Sequence, residues 1–381
     1  MSRLVPAAAV LLLACSACKK ADSGDPASAD PGDGRLAVGV PAPPLTPAEW
    51  ARGAPVSAFE PGKAYVVEFW ATWCGPCLAA MPHLDEVAKR YRADGLAVVA
   101  VTTTDDRANT PDAVARYLTG PGRDIDIAFA VCRAPAVDKA YMAASGTQTL
   151  PATFVVDRAG KVAYIGHPDD LDEVLPKVLA GTWQGEADAR ALRQQDAEFD
   201  DILVRVQQAG RLAQIQAGQG PLAAAAINRA VEKAAGEAAA DLDRYAEKYP
   251  GRAARPVARL NRAQVLMQAR RFADAKAQTE PVLEESAKRR NADFLGVVLS
   301  LWTNKGLNPD RKYPELPVRA ADEMLKLKGD GDLSALAAAA QAYYFAGEKA
   351  KGGEYAAKAL AVARDPRERM QLEKALRQYT E

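Results

Sequence analysis

The chain has 381 residues, about half of them hydrophobic and 26% charged, which is ordinary for a soluble globular protein of two or three domains. Its 49 basic and 49 acidic residues cancel, so no global field argues for nucleic acid or for a strongly charged partner. Five cysteines (Cys15, Cys18, Cys74, Cys77, Cys132) and two histidines (His83, His167) are too few for a disulfide-stapled scaffold or a zinc site of ordinary ligand count; neither a metal nor a cofactor is expected.

Arg3 precedes an apolar stretch at residues 4–14. It is shorter than the roughly 20 residues a spanning helix needs and reads as a secretory signal. It ends in Leu12-Leu13-Ala14-Cys15. A leucine three positions before a cysteine, with a small residue just before it, resembles the bacterial lipoprotein cleavage site. That resemblance implies removal of residues 1–14 and lipidation of the Cys15 thiol; plain secretion with cleavage nearby is the alternative. Residues 15–35 are polar and rich in Gly, Ser, Ala, Pro and Asp, cannot bury a core and are expected to be disordered. As a flexible coil this tether reaches roughly 25 Å. Cys18 within it is a bystander, or a second lipid or redox site. No other stretch is apolar enough to span a membrane.

From residue 36 to about 185, strands and helices alternate. Residues 65–70 form an apolar run interrupted by Glu68 and read as a buried strand. Residues 77–92 carry Leu78, Met81, Leu84, Val87, Ala88 and Tyr91 on one helical face, and Pro82 inside predicts a kink. A second buried strand is predicted at 96–102. Thr110-Pro111 starts a helix and Gly120 stops it. A third strand is predicted at 125–131 and a short helix at 137–144. Residues 152–156 and 162–165 form a hairpin around Asp157-Arg158-Ala159-Gly160-Lys161. Asp169 or Asp170 caps a last helix through Leu179, ended by Gly181. Alternation closing on a hairpin argues for an α/β sandwich around one sheet.

A Cys-x-x-Cys pair can clip a metal, staple a loop or exchange electrons with other disulfides. Here Trp73-Cys74-Gly75-Pro76-Cys77, with Pro82 after it and Thr149-Leu150-Pro151-Ala152-Thr153-Phe154 downstream, resembles the thioredoxin superfamily, and within it the TlpA/ResA-like extracytoplasmic branch. The resemblance covers residues 36–185 and implies a thioredoxin fold, a central mixed sheet flanked by helices, with the branch's insertion at about 125–144. It also implies redox exchange. Cys74, at the end of a strand and the start of a helix, meets unsatisfied N–H groups and the helix dipole, which favour a thiolate. Only the thiolate attacks disulfides, so Cys74 is the nucleophile. Cys77, one turn in and more buried, resolves the mixed disulfide.

Glu68 stands six residues before Cys74, the spacing of the family's buried acid, where Asp is usual and this branch often has Asn. Burial raises a carboxyl pKa toward neutrality, and a proton relay to Cys77 is expected; a carboxylate at an exposed edge or beside a basic partner is the alternative. Pro151 holds the position of the family's cis-proline, with Leu150 offering its backbone to an extended substrate; an ordinary trans-proline on an edge strand is the alternative. Trp73, Gly75 and Pro76 frame the substrate side. His167, in the loop after the last strand, is expected to touch the substrate groove, to tune the thiolate, or simply to be solvated. His83 is expected at the surface. Cys132 is expected to be a small buried residue rather than a third redox thiol.

Residues 186–381 are rich in Ala, Leu, Arg, Lys, Glu and Gln and read as helices, broken at 218–220, 249–251, 306–317 and 329–331. Residues 259–285 and 333–363 resemble tetratricopeptide helix pairs, but the repeat period is not held between them. An all-α, degenerate TPR-like domain that binds a partner protein is expected, with a plain helical cap as the alternative. The leading functional expectation is a membrane-tethered thiol–disulfide oxidoreductase of the bacterial envelope. It would face the periplasm or other extracytoplasmic space, act on protein disulfides or thiols, and draw electrons from a membrane thiol donor. The Gly-Pro pair points to the reducing side. The rivals are an interaction scaffold with little turnover and a copper-handling relative, for which His167 and Cys132 are the available extra ligands.

Overall fold

The computed structural model describes residues 35–363 apart from 47–48, 57, 107 and 218–220, and residues 369–377 apart from 371 and 375. The expected signal and tether, with Cys15 and Cys18, and the expected break at 218–220 lie outside the described residues. Contacts divide the chain into two units between Gln194 and Gln195.

In the first unit, the described residues form one six-stranded mixed sheet. The strands are β1 (Glu49–Arg52), β2 (Ala64–Phe69), β3 (Leu96–Thr103), β4 (Ala128–Cys132), β5 (Ala152–Val156) and β6 (Val162–Gly166), in the order β1-β4-β3-β2-β5-β6. β2 pairs in parallel with β3, and β3 with β4; the β1–β4, β2–β5 and β5–β6 pairs are antiparallel. Central β2 is buried along its whole length because both faces are covered. Ala64 and Val66 look into a core built with α1 (Gly75–Tyr91), α2 (Pro111–Thr119) and α4 (Leu171–Leu179). Tyr65, Val67 and Phe69 look into the opposite core, with Tyr141 and Phe154. Strand alternation decides which residue serves which core.

The predicted elements appear with informative corrections. β1 is unpredicted: its residues, Glu-Trp-Ala-Arg, carry no apolar run, and Arg52 holds it in place. Its guanidinium donates to the carbonyls of Leu118, Gly122 (2.7 Å) and Ile125 (3.1 Å). That bond also shortens the third strand. The strand begins at Ala128 rather than Ile125 because the Ile125 carbonyl goes to Arg52 and the Asp126 N–H to Asp85 Oδ1 (2.8 Å). The helix predicted at 137–144 is α3 (Ala136–Asp138) running into a π turn, Lys139–Ala143. Before α4, Asp170 occupies the N-cap without capping. Its carboxylate instead accepts from the Tyr164 hydroxyl, and a 3₁₀ turn, Pro168–Asp170, is capped by His167. His83 is mostly covered rather than surface-exposed, its Nε2 3.5 Å from Asp172 Oδ2.

The helix α5 (Glu186–Ala217) belongs to both units: Ala189 and Leu192 join the first unit's core. The second unit continues through α6 (Pro221–Lys248), α7 (Pro250–Ala253), α8 (Pro256–Gln268), α9 (Phe272–Lys288), α10 (Ala292–Trp302), α11 (Glu315–Lys328), α12 (Leu333–Phe345) and α13 (Lys349–Val362). α5 and α6 run antiparallel, joined by Lys248–Glu198 (2.9 Å) and Phe199–Tyr245 (5.1 Å between rings). α8–α9, α10–α11 and α12–α13 are packed neighbours around a core centred on fully buried Trp302. Pro317, expected in a break, lies in the first turn of α11, where the N–H that proline lacks would have no intrahelical partner anyway. Within the expected helix pair at 259–285, the turn between α8 and α9 places Arg270, not a glycine, in the left-handed conformation (φ 59°).

Candidate active site

The chain leaves β2 at Phe69 and enters α1 at Gly75, so Cys74 is the N-cap of that helix. Its Sγ accepts the Cys77 N–H at 3.3 Å, as a capping oxygen would, and Pro76 sits in the first turn, where it costs no hydrogen bond. The two cysteines form a disulfide, S–S 2.05 Å. Cys77 is wholly buried and Cys74 4% exposed, whereas Gly75 and Pro76 are exposed and Trp73 is 60% exposed. One rim of the disulfide therefore faces solvent through Trp73, Gly75 and Pro76, and the other is sealed by the core.

Glu68 lies on that sealed side. By alternation it shares the face of Ala64 and Val66, whose cluster contains Cys74, Cys77 and Met81. It is 1% exposed. Across the β2–β5 pair it stands opposite Thr153, whose hydroxyl donates to Oε2 at 2.5 Å, while Oε1 is buried with no hydrogen-bond partner among the described residues. Burial pushes the carboxyl up to about 8; the Thr153 bond pulls it partly back, and the negative charge of Asp169 raises it further.

The Leu150–Pro151 bond is cis and opens β5, with both residues half-buried. A Redoxin family model matches residues 37–179. Protein FixW of Rhizobium leguminosarum is 34% identical over 158 residues, which is 41% of this chain and 72% of that protein. The chain belongs to the thioredoxin superfamily. The thiol–disulfide oxidoreductase ResA of Geobacillus thermodenitrificans is 33% identical over 105 residues, 27% of this chain and 54% of that protein, so the chain spans about half the length of that relative. Among solved structures, the thiol:disulfide interchange protein of Chlorobium tepidum TLS is 26% identical, covering 36% of this chain and 97% of that one at a TM-score of 0.30.

In this thioredoxin-like oxidoreductase domain, the structure brings Cys74, Cys77 and Glu68 to one side of the sheet and puts Trp73, Gly75 and Pro76 on the solvent rim. It does not bring Cys132 to them. That thiol is 1% exposed in the opposite core, and burial raises its pKa, so it is no third ligand or thiol for the pair. His167 follows Gly166, which pairs with Thr153, but its ring turns to its own loop: Nδ1 accepts the Asp169 N–H at 3.3 Å. Two residues near the site escaped sequence reasoning. Thr153 is recognisable as Glu68's partner only once the β2–β5 register is known. Asn109 sits in a polar loop with no motif.

Proposed function

We propose that the first unit exchanges thiols and disulfides with exported proteins, on the reducing side, while tethered to a bacterial membrane through a lipid on Cys15. The reading rests on one observation above all: Cys74 caps the N-terminus of α1, beside a buried Cys77, with a buried acid on the same face of the sheet. In the reduced form the helix N-terminus favours the Cys74 thiolate. The thiolate attacks one sulfur of a substrate disulfide, a mixed disulfide forms, and the other substrate sulfur leaves as a thiolate. Cys77 gives its proton to the Glu68 carboxylate and attacks Cys74 Sγ. The Cys74–Cys77 disulfide closes and the second substrate sulfur leaves, so two electrons pass from the dithiol to the substrate. Trp73, Leu150 and Pro151 border the face on which an extended substrate strand would lie, with His167 at its margin. Return to the dithiol requires an electron-donating thiol of the membrane. The helical unit is the place for a partner protein, since stacked helices offer concave surfaces.

The test is a Cys77→Ala variant expressed in cells. It should accumulate mixed disulfides through Cys74, and their identities name the substrates. Absence of any trapped protein, together with no insulin reduction by the reduced wild-type domain, would leave a scaffold in place of an oxidoreductase. The reduction potential measured against glutathione sets the direction: reductants of this superfamily lie near about −270 mV and strong oxidants near about −120 mV.

A further inference from the structure

The segment that carries the nucleophile, between the end of β2 and the N-cap of α1, is bound along its length. The Trp70 N–H donates to the Val101 carbonyl (3.1 Å), and the Trp70 carbonyl accepts from the Thr102 hydroxyl (2.7 Å). The Ala71 carbonyl accepts the Cys74 N–H (3.0 Å), closing a turn with Thr72 and Trp73 at its corners. What fixes Thr72 comes from far away in sequence. Asn109, 1% exposed in the loop between β3 and α2, uses its side-chain oxygen to accept both the Thr72 N–H (2.9 Å) and the Thr72 hydroxyl (3.0 Å). Its amide nitrogen donates to the Thr102 hydroxyl (2.8 Å) and the Thr103 carbonyl (2.8 Å). The full donor and acceptor capacity of one carboxamide is spent, and its orientation is dictated: flipped, the NH₂ would face the Thr72 N–H. Asn109 is itself held by Asp105 Oδ1, which accepts the Ala108 and Asn109 N–H groups at 2.7 and 3.1 Å. The next residue, Thr110, caps α2.

We infer that Asn109 is a positioning residue for the redox pair: it clamps the Thr72–Trp73 corner and so keeps Cys74 Sγ on the helix N-terminus. The inference rests on the reading of Cys74 as the attacking thiolate. The stabilisation of an anion by a helix end falls away within the first turn, and the Cys77 N–H reaches Sγ only while Cys74 keeps its extended N-cap backbone (φ −87°, ψ 91°). A corner free to swing takes the sulfur off that donor part of the time. The same clamp sets the orientation of exposed Trp73 on the substrate rim. A side chain that merely closed the β3–α2 loop would need no bonds to Thr72.

The experiment uses the reduced full chain, at a temperature where every variant tested is folded by circular dichroism. Thiolate absorbance at 240 nm is titrated, and the rate of attack on 5,5′-dithiobis(2-nitrobenzoate) is measured. Asn109→Ala should raise the Cys74 titration midpoint and slow attack at pH 7 by about tenfold. Thr72→Val, which keeps the backbone bond and loses the hydroxyl, should shift both in the same direction by about two- to threefold, and Thr72→Ser should match wild type. Should Asn109→Ala not fold, Thr72→Val and Thr72→Ser carry the test. A lowered melting temperature with titration and rate unchanged in Thr72→Val and in any folded Asn109 variant overturns the clamp and leaves a structural loop residue. Wild-type protein with no reactive thiolate overturns the functional reading and the clamp with it.

Discussion

Thr153 and Glu68 face each other across the antiparallel β2–β5 pair, the hydroxyl 2.5 Å from the carboxyl oxygen Oε2. Through this contact the strand that follows the cis-proline touches the one carboxyl of β2. Ala100 of β3 flanks Glu68 on its other side, so the acid is buried between two neighbouring strands, with the Thr153 hydroxyl as its donor.

The position of that carboxyl makes folding stability depend on pH with a defined sign. Glu68 titrates at about 8 when folded against an ordinary 4.5. Between these values the folded chain holds a proton that the unfolded chain releases, so the contribution of Glu68 to stability falls as pH rises through the window and levels off above about 8. The slope has a ceiling of about 1.4 kcal/mol per pH unit. Glu68→Gln should flatten the slope in urea titrations of the first unit from pH 5 to 8 and should be more stable than wild type at pH 8. A wild-type slope of opposite sign from this residue would refute the buried-acid assignment.

Thr153→Val keeps the shape and removes the donor. Because that hydrogen bond favours the charged carboxylate, its loss should move the Glu68 titration further up. The pH profile of mixed-disulfide resolution should then shift to the alkaline side, at a stability cost of about 1 kcal/mol. Glu68→Gln should slow the same step by ~10-fold or more, seen as a longer-lived mixed disulfide in single-turnover quench experiments. A resolution rate indifferent to both substitutions would exclude Glu68 from the proton path.

Any side chain at Gly166 would have to displace the Tyr164 ring. A Cβ there would lie 1.9 Å from the Tyr164 hydroxyl, and that hydroxyl both donates to buried Asp170 and accepts the His167 N–H. Gly166→Ala should displace the ring, break the Tyr164–Asp170 hydrogen bond and destabilise the first unit by about 2–4 kcal/mol. Gly166→Ala combined with Tyr164→Phe should recover part of the steric loss but not the hydrogen bond. Melting curves of the two variants check both statements.

Arg52 offers a milder test of the unpredicted edge strand. Arg52→Ala withdraws one donor from each of three carbonyls at once, leaving that of Gly122 with the Ile125 N–H, and removes a guanidinium stacked 5.5 Å from the centre of the Phe129 ring. A loss of about 1–3 kcal/mol is expected, with hydrogen-exchange protection falling first in β1 and in residues 118–125. Unchanged protection there would mean that β1 is held by its ladder alone.

Much of the domain was legible in the chain because local physics writes it there. Cys74 and Cys77 are a helix N-cap and the residue one turn later, a relation of spacing alone. β2, β3 and the β5–β6 hairpin are apolar runs between turn residues, and Thr110-Pro111 and Gly120 bound α2 as start and stop signals do. Glu68 announced itself as a charge inside an apolar run. What local pattern did not hold is whatever depends on register and on long-range hydrogen bonds. β1 has no apolar signature and exists because Arg52 reaches carbonyls some 70 residues away. Thr153 becomes the partner of Glu68 only when β5 pairs with β2 in one register, since a slip of one residue would turn it to the other face. Asp170 was drawn from its expected cap by a tyrosine on the preceding strand. Asn109 reads as one more polar loop residue until the fold carries it to Thr72. The sequence by itself determined the redox pair, its helix and the buried acid, because spacing and hydrophobicity are properties of neighbouring residues. The tertiary structure alone decided what surrounds them, because a buried polar side chain takes the partner that closure of the fold brings within reach of a hydrogen bond.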